Sequence, residues 1–132
     1  MHCEELGKQF LITIYNHEDL DELVELGCTR VKIGSGEAGN MALAQAVFQK
    51  TRLPVVSCGI SRQSFSLWPT GVFLACECRY PSPRGLVAGL FSPTTHIGWS
   101  DHSEGIEESK AAICLGAKIV ECHVRLPYQA RD

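Results

Sequence analysis

Two histidines near the end of the sequence have the residue type and the spacing of a divalent-metal site. Period-two alternation predicts a strand that ends at His102 and another that reaches His123, and the residues between them predict a helix that ends at Gly116. Parallel strands joined by a helix end at the same edge of a sheet, so the two imidazoles should lie side by side. With Glu121 and Asp101 nearby, they could bind a metal and leave positions open for a substrate.

A structural role for the same histidines is equally consistent with their spacing. A histidine in a strand is often a hydrogen-bonded residue of the core or of its rim. Ser100 alternates with His102, and Glu121 alternates with His123, so hydroxyl, carboxylate and imidazole groups share one face of the predicted sheet in either case. Spacing alone therefore leaves both interpretations open.

Composition restricts the class of protein. The chain has 132 residues, 45% of them apolar, and a net charge of −3 with scattered Lys and Arg, so we expect one domain, residues 1–132, that binds neither nucleic acid nor membrane. No signal peptide or membrane-length apolar run is evident, which predicts a cytoplasmic protein. The seven cysteines are an odd number and should be reduced thiols. Zinc at Cys76-x-Cys78 is an alternative, although zinc pairs usually have two intervening residues.

Strand-like segments alternate with helical ones along the chain. One helix is predicted to begin after Asn16 and to end at Gly27, a second covers residues 40–50, and a short third lies within 86–90. The second helix should turn four apolar residues inward: Met41, Ala44, Val47 and Phe48. Strands are predicted at residues 10–15, 30–33, 53–57, 72–78, 97–102 and 119–125. This order indicates a parallel α/β fold, either a doubly wound sheet or part of a (β/α)8 barrel.

The position of the polar residues separates these two architectures. Polar residues lie at or just after the C-terminal end of every predicted strand: Thr13, Lys32, Ser35, Ser57, Tyr80, Ser100, His102, Glu121 and His123. A barrel places its active site around that whole rim, whereas an open sheet concentrates it at one switch point. The even distribution favours the barrel.

The second strand leads into a glycine-rich turn that suits an anion. GSGEAG fits the dinucleotide pattern G-x-G-x-x-G, but the next strand ends without the acidic residue that binds a ribose, so its amides are better interpreted as a phosphate cradle. Lys32 precedes this turn among apolar residues and needs a partner there. That partner is either a bound phosphate or carboxylate, or a salt bridge with Glu37 or Glu121.

Segments across nearly the whole chain resemble the sialic acid synthase family, in the family's order. They are LITIYNHEDLDELVELG, KIGSGEAGN, SCGIS, CECRYPSP and GWSDHSEGIEESKAAICLGAKIVECH. The resemblance implies a phosphoenolpyruvate-condensing (β/α)8 TIM barrel of about 250 residues. The chain would carry strands three to eight of that barrel, without the first two βα units and without the family's C-terminal antifreeze-like domain.

The resemblance also implies a reaction and its residues. C3 of phosphoenolpyruvate would attack the aldehyde of an open-chain N-acetylhexosamine such as N-acetylmannosamine, water would add at C2, and phosphate would leave a nonulosonic acid. His102 and His123 would bind manganese, with magnesium as an alternative, and Glu37 or Glu121 would move protons. The implied substrate-binding residues are Thr13, Lys32, Ser35, Ser57 and Ser100 for phosphoenolpyruvate, and Tyr80 with Glu37 for the sugar.

Three departures from the family pattern qualify this assignment. Cys78 stands where the family usually has Asn or Ser near the phosphate, the links on either side of the fourth strand are short, and RLPYQARD does not continue the family's last loop. A partial barrel also exposes two sheet edges, so we expect a homo-oligomer or a complementing chain. Two alternatives follow: a catalytically incomplete barrel that binds a phosphorylated ligand or a partner without turnover, and a nucleotide-binding α/β module.

Overall fold

Six parallel strands form one sheet in which every strand pairs with its neighbours in the sequence. The computed structural model describes residues 2–60 and 70–125. The strands are β1 (Ile12–Ile14), β2 (Val31–Ile33), β3 (Val55–Cys58), β4 (Val72–Cys76), β5 (Gly98–Asp101) and β6 (Ile119–Cys122). A doubly wound sheet reverses its strand order at a switch point, and this sheet does not. The predicted partial barrel is confirmed.

The sheet curls so that distant strands approach each other across its concave face. Lys32 on β2 and Glu121 on β6 come within 3.2 Å, although three strands lie between theirs in the sheet. The ends of the sheet stay open, because β1 and β6 have no further strand beside them among the described residues. The architecture is therefore a half-barrel whose concave face corresponds to the interior of a closed barrel.

Five helices accompany the strands in the described ranges. They are α1 (His2–Glu5), α2 (His17–Glu25), α3 (Met41–Lys50), α4 (Val87–Leu90) and α5 (Glu107–Cys114). Asn16 caps α2 as predicted, since its side-chain oxygen accepts a hydrogen bond from the backbone N–H of Asp19 at 2.7 Å. Gly27 follows α2 with φ of 78°, a conformation that glycine adopts without strain. Asn40 caps α3 in the same way by accepting from Leu43 N–H.

The core lies between the convex face of the sheet and the helices. One cluster packs α2 and α3 against β1 to β3, around Leu20, Val31 and Leu43, and a second surrounds Trp99 near α4 and α5. The predicted inward position of Met41 was wrong, because Met41 is 45% exposed and Leu43 is buried instead. Ala44 and Val47 are buried as expected. The rotation of α3 about its axis decides which of its apolar residues are buried, because residues of equal hydrophobicity lie on different faces of the helix.

Two segments that the sequence analysis discussed lie outside the described residues. They are most of the link between β3 and β4, residues 61–69, and the C-terminal residues 126–132. None of the described helices is long and apolar enough to cross a membrane.

Candidate active site

An open cavity of about 360 Å³ lies at the C-terminal ends of the strands. Most of the predicted site residues line it: Thr13, Lys32, Ser35, Ser57, Tyr80, His102, Glu121 and His123. They come from different strands, but parallel strands deliver their C-terminal ends to one rim, and period-two alternation turns these side chains to the concave face. The structure therefore brings together the groups that the sequence placed at the ends of separate strands.

The two imidazoles are neighbours at one end of the cavity. Their ring centroids lie 5.5 Å apart. The Nδ1 of His102 contacts the backbone oxygen of Glu77 at 2.6 Å; when Nδ1 donates its proton there, Nε2 keeps a free lone pair. Burial lowers the pKa of His102 below its usual range, which favours the neutral imidazole that metals bind.

Tyr80 contacts both imidazoles. Its ring stacks on His102 with centroids 4.0 Å apart, and its hydroxyl oxygen lies 2.7 Å from Nε2 of His123. The pKa of this phenol rises to about 12, first because neighbouring groups shield it from water and then because the Glu121 carboxylate opposes a second negative charge. Tyr80 therefore stays a neutral hydroxyl over the whole physiological range.

Glu121 is held between a cation and a hydroxyl. Lys32 Nζ lies 3.2 Å from one carboxylate oxygen, and Ser100 Oγ donates to the other at 2.7 Å. Of the two partners that the sequence offered for Lys32, Glu121 is the one that forms the salt bridge. Ser100 is fully buried beneath the cavity, where it also lies 3.3 Å from Nε2 of His102. It links the carboxylate to the imidazole pair.

Hydroxyl groups also line the cavity. Ser57 is only 2% exposed, and its Oγ makes no hydrogen bond with the described residues. Ser35 Oγ accepts from the backbone N–H groups of Gly59 and Ile60, each at 2.9 Å, and from the Cys78 thiol. A buried hydroxyl without a partner usually marks a place where a ligand or water completes the bonding. These hydroxyl groups therefore suit an oxygen-rich anion beside Lys32.

Two acidic residues lie away from the cavity. Glu37 does not line it, and its carboxylate accepts from the side-chain amide of Asn40 at 3.2 Å. The suggestion that Asp101 lies near the metal-binding groups was wrong: its carboxylate accepts from Ser103 and Ser109, and it is buried under α5. Alternation along β5 explains this, because Asp101 is one residue from Ser100 and faces the opposite side of the sheet.

Two further residues line the cavity, Tyr15 and Ile60, and neither was predicted from the sequence. Tyr15 lies two residues after Thr13 and so on the same face of the chain, which was the available signal. Ile60 follows β3 in a loop, where period-two alternation no longer applies. Gly34 and Gly36 of the glycine-rich turn also line the cavity, as the phosphate-cradle interpretation requires.

The donor set at the imidazole end fits a metal that shares its coordination with a substrate. The described residues contain no group of three or more His, Cys, Asp or Glu side chains arranged to hold a metal ion. Two imidazoles, one of them oriented through its Nδ1, leave several positions for water or substrate oxygens. The same result leaves Cys76 and Cys78 without a third zinc ligand in this part of the chain.

The chain is similar to several known proteins. N-acetylneuraminate-9-phosphate synthase of Homo sapiens is 31% identical over 141 residues, which cover 95% of this chain and 39% of that protein. N,N'-diacetyllegionaminic acid synthase of Campylobacter jejuni is 27% identical over 150 residues, covering 96% and 43%. The crystal structure of N-acetylneuraminic acid synthetase from Leptospira borgpetersenii, solved with citrate, has a TM-score of 0.79 at 25% identity and covers 89% and 47%.

The chain thus spans about two fifths of the length of the curated relatives it matches. The model of one family, described as the NeuB family, matches residues 1–66 and 70–131. With six parallel strands in sequential order and a polar cavity at their C-terminal ends, the chain belongs to the NeuB family.

Proposed function

We propose that this protein condenses phosphoenolpyruvate with an N-acetylhexosamine, N-acetylmannosamine or a relative, to form a nonulosonic acid and phosphate. Membership of the NeuB family supports the proposal, as do relatives named as synthases of such acids. The observation that carries it is one cavity lined by two sets of groups. Lys32 and the unpartnered Ser57 hydroxyl suit an anion, and the imidazole pair suits a metal.

Lys32 and the hydroxyl groups of the cavity would bind the phosphate of phosphoenolpyruvate. Lys32 is 9% exposed, so its ammonium acts in a partly desolvated place where a charge-assisted hydrogen bond is strong. Ser57 can donate to a phosphate oxygen without giving up another bond, since its Oγ has no partner among the described residues. Thr13 and Ser35 line the same cavity and offer two further hydroxyl groups to the phosphate. Together they would orient C3 of the enol toward the second substrate.

The part of the cavity around the two imidazoles would bind the sugar aldehyde. His102 and His123 would hold Mn²⁺ or Mg²⁺, which as a Lewis acid polarises a carbonyl oxygen. Tyr80 lies against both imidazoles, and its hydroxyl would bind the sugar once it leaves His123. The aldehyde carbon would accept the electron pair from C3 as the new carbon–carbon bond forms, and the aldehyde oxygen would take up a proton.

Glu121 is the best-placed group to manage protons. The Lys32 ammonium and the Ser100 hydroxyl hold its side chain at the cavity. Water that adds at C2 must lose a proton, and a carboxylate within the cavity can accept it before phosphate leaves. Glu37 could contribute a second carboxylate only if its side chain left Asn40. Its catalytic assignment remains a prediction.

A protein that binds phosphoenolpyruvate without turning it over is the second candidate. Two contacts favour it: Lys32 is already paired with Glu121, and Glu37 points to Asn40 instead of the cavity. Both carboxylates are thus engaged with other side chains, which would hinder proton transfer more directly than anion binding. The two candidates differ in phosphate release and agree on ligand binding.

The decisive experiment measures phosphate release from phosphoenolpyruvate by the purified chain, with N-acetylmannosamine and with or without Mn²⁺. We expect release that needs both sugar and metal and that falls at least about 100-fold in Glu121→Gln. Glu104→Gln is the matched control, since Glu104 is exposed and does not line the cavity. Phosphoenolpyruvate binding without release would favour the second candidate. Folded protein that binds no phosphoenolpyruvate would contradict both.

A further inference from the structure

The Tyr80 hydroxyl engages a nitrogen that the proposed metal would need. Its oxygen lies 2.7 Å from Nε2 of His123, which is within hydrogen-bond distance whichever group donates. Nε2 is the ring nitrogen farthest from the backbone, and His123 lines the cavity. His102 also presents Nε2 toward the cavity, because its Nδ1 is held by the Glu77 carbonyl.

The lone pair of this nitrogen has one use at a time. If the phenol donates to Nε2, the lone pair is occupied by its proton, and if Nε2 carries the proton and donates, no lone pair is available there. A metal bound at Nε2 must therefore displace the Tyr80 hydroxyl in either tautomer. The Tyr80 ring also stacks on His102 at 4.0 Å, so the same side chain contacts both proposed ligands.

We propose that the Tyr80 hydroxyl competes with the divalent metal for Nε2 of His123, so that metal binding releases the phenol into the cavity. The inference rests on the metal assignment in the proposed function. It adds an order to substrate binding: the metal binds first, and the freed hydroxyl then becomes a hydrogen-bond donor for the sugar. Tyr80 is thus a sugar-binding residue whose hydroxyl becomes available only when the metal binds.

The test is titration of the full chain with Mn²⁺ alone, with free Mn²⁺ measured by electron paramagnetic resonance. Tyr80→Phe keeps the aromatic ring and removes the competing hydroxyl, so we expect it to bind Mn²⁺ about five-fold more tightly than wild type, the value of one net hydrogen bond. Tyr15→Phe is the matched control. It removes a hydroxyl from the same cavity, and Tyr15 makes no hydrogen bond to an imidazole in the parts of the chain that the structure describes. We expect its Mn²⁺ affinity to be unchanged.

A spectroscopic readout follows the phenol directly. When Mn²⁺ is added to wild type, the near-ultraviolet difference spectrum of tyrosine should change as the hydroxyl leaves His123, and this change should be absent in Tyr80→Phe. Because Tyr80 is 61% exposed, its replacement removes little buried surface, and circular dichroism should show an intact fold. Tyr80→Leu, which removes ring and hydroxyl together, should also bind Mn²⁺ more tightly than wild type.

Two results would overturn the competition. Weaker Mn²⁺ binding by Tyr80→Phe would mean that the phenol orients His123 for the metal. Equal binding would mean that the phenol has no influence on Mn²⁺ affinity. Either result, together with Mn²⁺ affinity that is lost in His102→Ala, would leave the proposed function intact. Failure of wild type, Tyr80→Phe and His102→Ala alike to bind Mn²⁺ would reject the competition and the metal assignment together.

Discussion

Ser57 carries a buried hydroxyl that bonds to none of the described residues. An unmade hydrogen bond in a buried place costs free energy, so Ser57→Ala should leave the free energy of unfolding unchanged or raise it by up to about 1 kcal/mol. If the hydroxyl is kept for a phosphate oxygen, the same substitution should weaken phosphoenolpyruvate binding about tenfold, since hydrogen bonds to charged groups are strong. Urea unfolding and calorimetric titration with phosphoenolpyruvate measure the two effects.

Ser100→Ala is the control for this experiment. Ser100 is equally buried, but its hydroxyl donates to Glu121 at 2.7 Å, so its removal leaves a carboxylate short of a partner and should cost about 1 to 3 kcal/mol. A Ser57→Ala variant that is destabilised like Ser100→Ala and binds phosphoenolpyruvate normally would mean that the Ser57 hydroxyl serves the fold and not the ligand.

The thiols differ in reactivity at the scale of single residues. Burial raises the pKa values of Cys58 and Cys76 to about 12 each, so almost no thiolate exists at pH 8. Cys114 and Cys122 are exposed. We expect a thiol-specific alkylating reagent to modify Cys114 and Cys122 in the native protein and Cys58 and Cys76 only after unfolding. Peptide mass mapping checks this, and rapid labelling of Cys76 in folded protein would contradict it.

The same burial predicts how stability changes at high pH. Unfolded thiols ionise near the ordinary value of 9.0, whereas these two remain protonated until about pH 12 when folded. The folded state therefore binds more protons than the unfolded state between these values, and the free energy of unfolding should fall as the pH rises from 9 toward 12.

Residue types and alternation predicted most of the site. Ser100, His102, Glu121 and His123 were expected on one face because strand side chains alternate, and they meet there. Glu37 lies in the turn before α3, where the direction of a side chain depends on its local partner, here Asn40. No repeating sequence pattern predicts the direction of a side chain in such a turn. Resemblance to a family can assign a role to such a residue but not its orientation.

At the scale of elements, Glu108 joins α5 to the short helix α4. Its carboxylate is 5% exposed and accepts from the backbone N–H groups of Gly85, Leu86 and Val87. These N–H groups at the start of a helix have no partner within the helix itself. Glu108→Ala should therefore lower the free energy of unfolding by about 3 kcal/mol, measured by urea denaturation.

The adjacent Glu107 provides the matched control for Glu108. It lies in the same helical turn but is exposed, and its contact with Arg84 is 3.9 Å long, so Glu107→Ala should destabilise the protein far less than Glu108→Ala. Glu108→Gln, which keeps one acceptor oxygen, should fall between the two. Equal losses for Glu107→Ala and Glu108→Ala would show that helix propensity, and not the buried contacts, sets the stability of this segment.

The element pattern was easier to predict than the facing of each helix. The cap at Asn16 and the apolar strands are local signals, and they correspond to observed boundaries within a few residues. The orientation of α3 could not be predicted from local sequence signals, because Leu43 is buried and Met41 is exposed although both are apolar. The Glu108 contacts were also out of reach, since they join residues more than twenty positions apart.

At the scale of the whole molecule, the concave face of the half-barrel continues below the candidate active site as an apolar cavity of about 480 Å³. Apolar side chains on both sides of the opening line it, with Leu11 beside β1 44% exposed and Ile119 on β6 39% exposed. Unpaired strand edges next to exposed apolar surface favour association with another chain. The expectation of a homo-oligomer or a complementing chain therefore has a physical basis in the open sheet.

This surface predicts that the purified chain associates with itself through the open side of the sheet. Analytical ultracentrifugation should show a weight-average mass that rises with protein concentration, because association removes Leu11 and Ile119 from water. Ile119→Lys should shift the association to higher concentration, since it places a charge on the contact surface. Ile113→Lys is the control, because Ile113 is 59% exposed on α5, away from the cavity. A mass that stays monomeric at all concentrations, or an equal effect of both substitutions, would show that the open edges do not direct association.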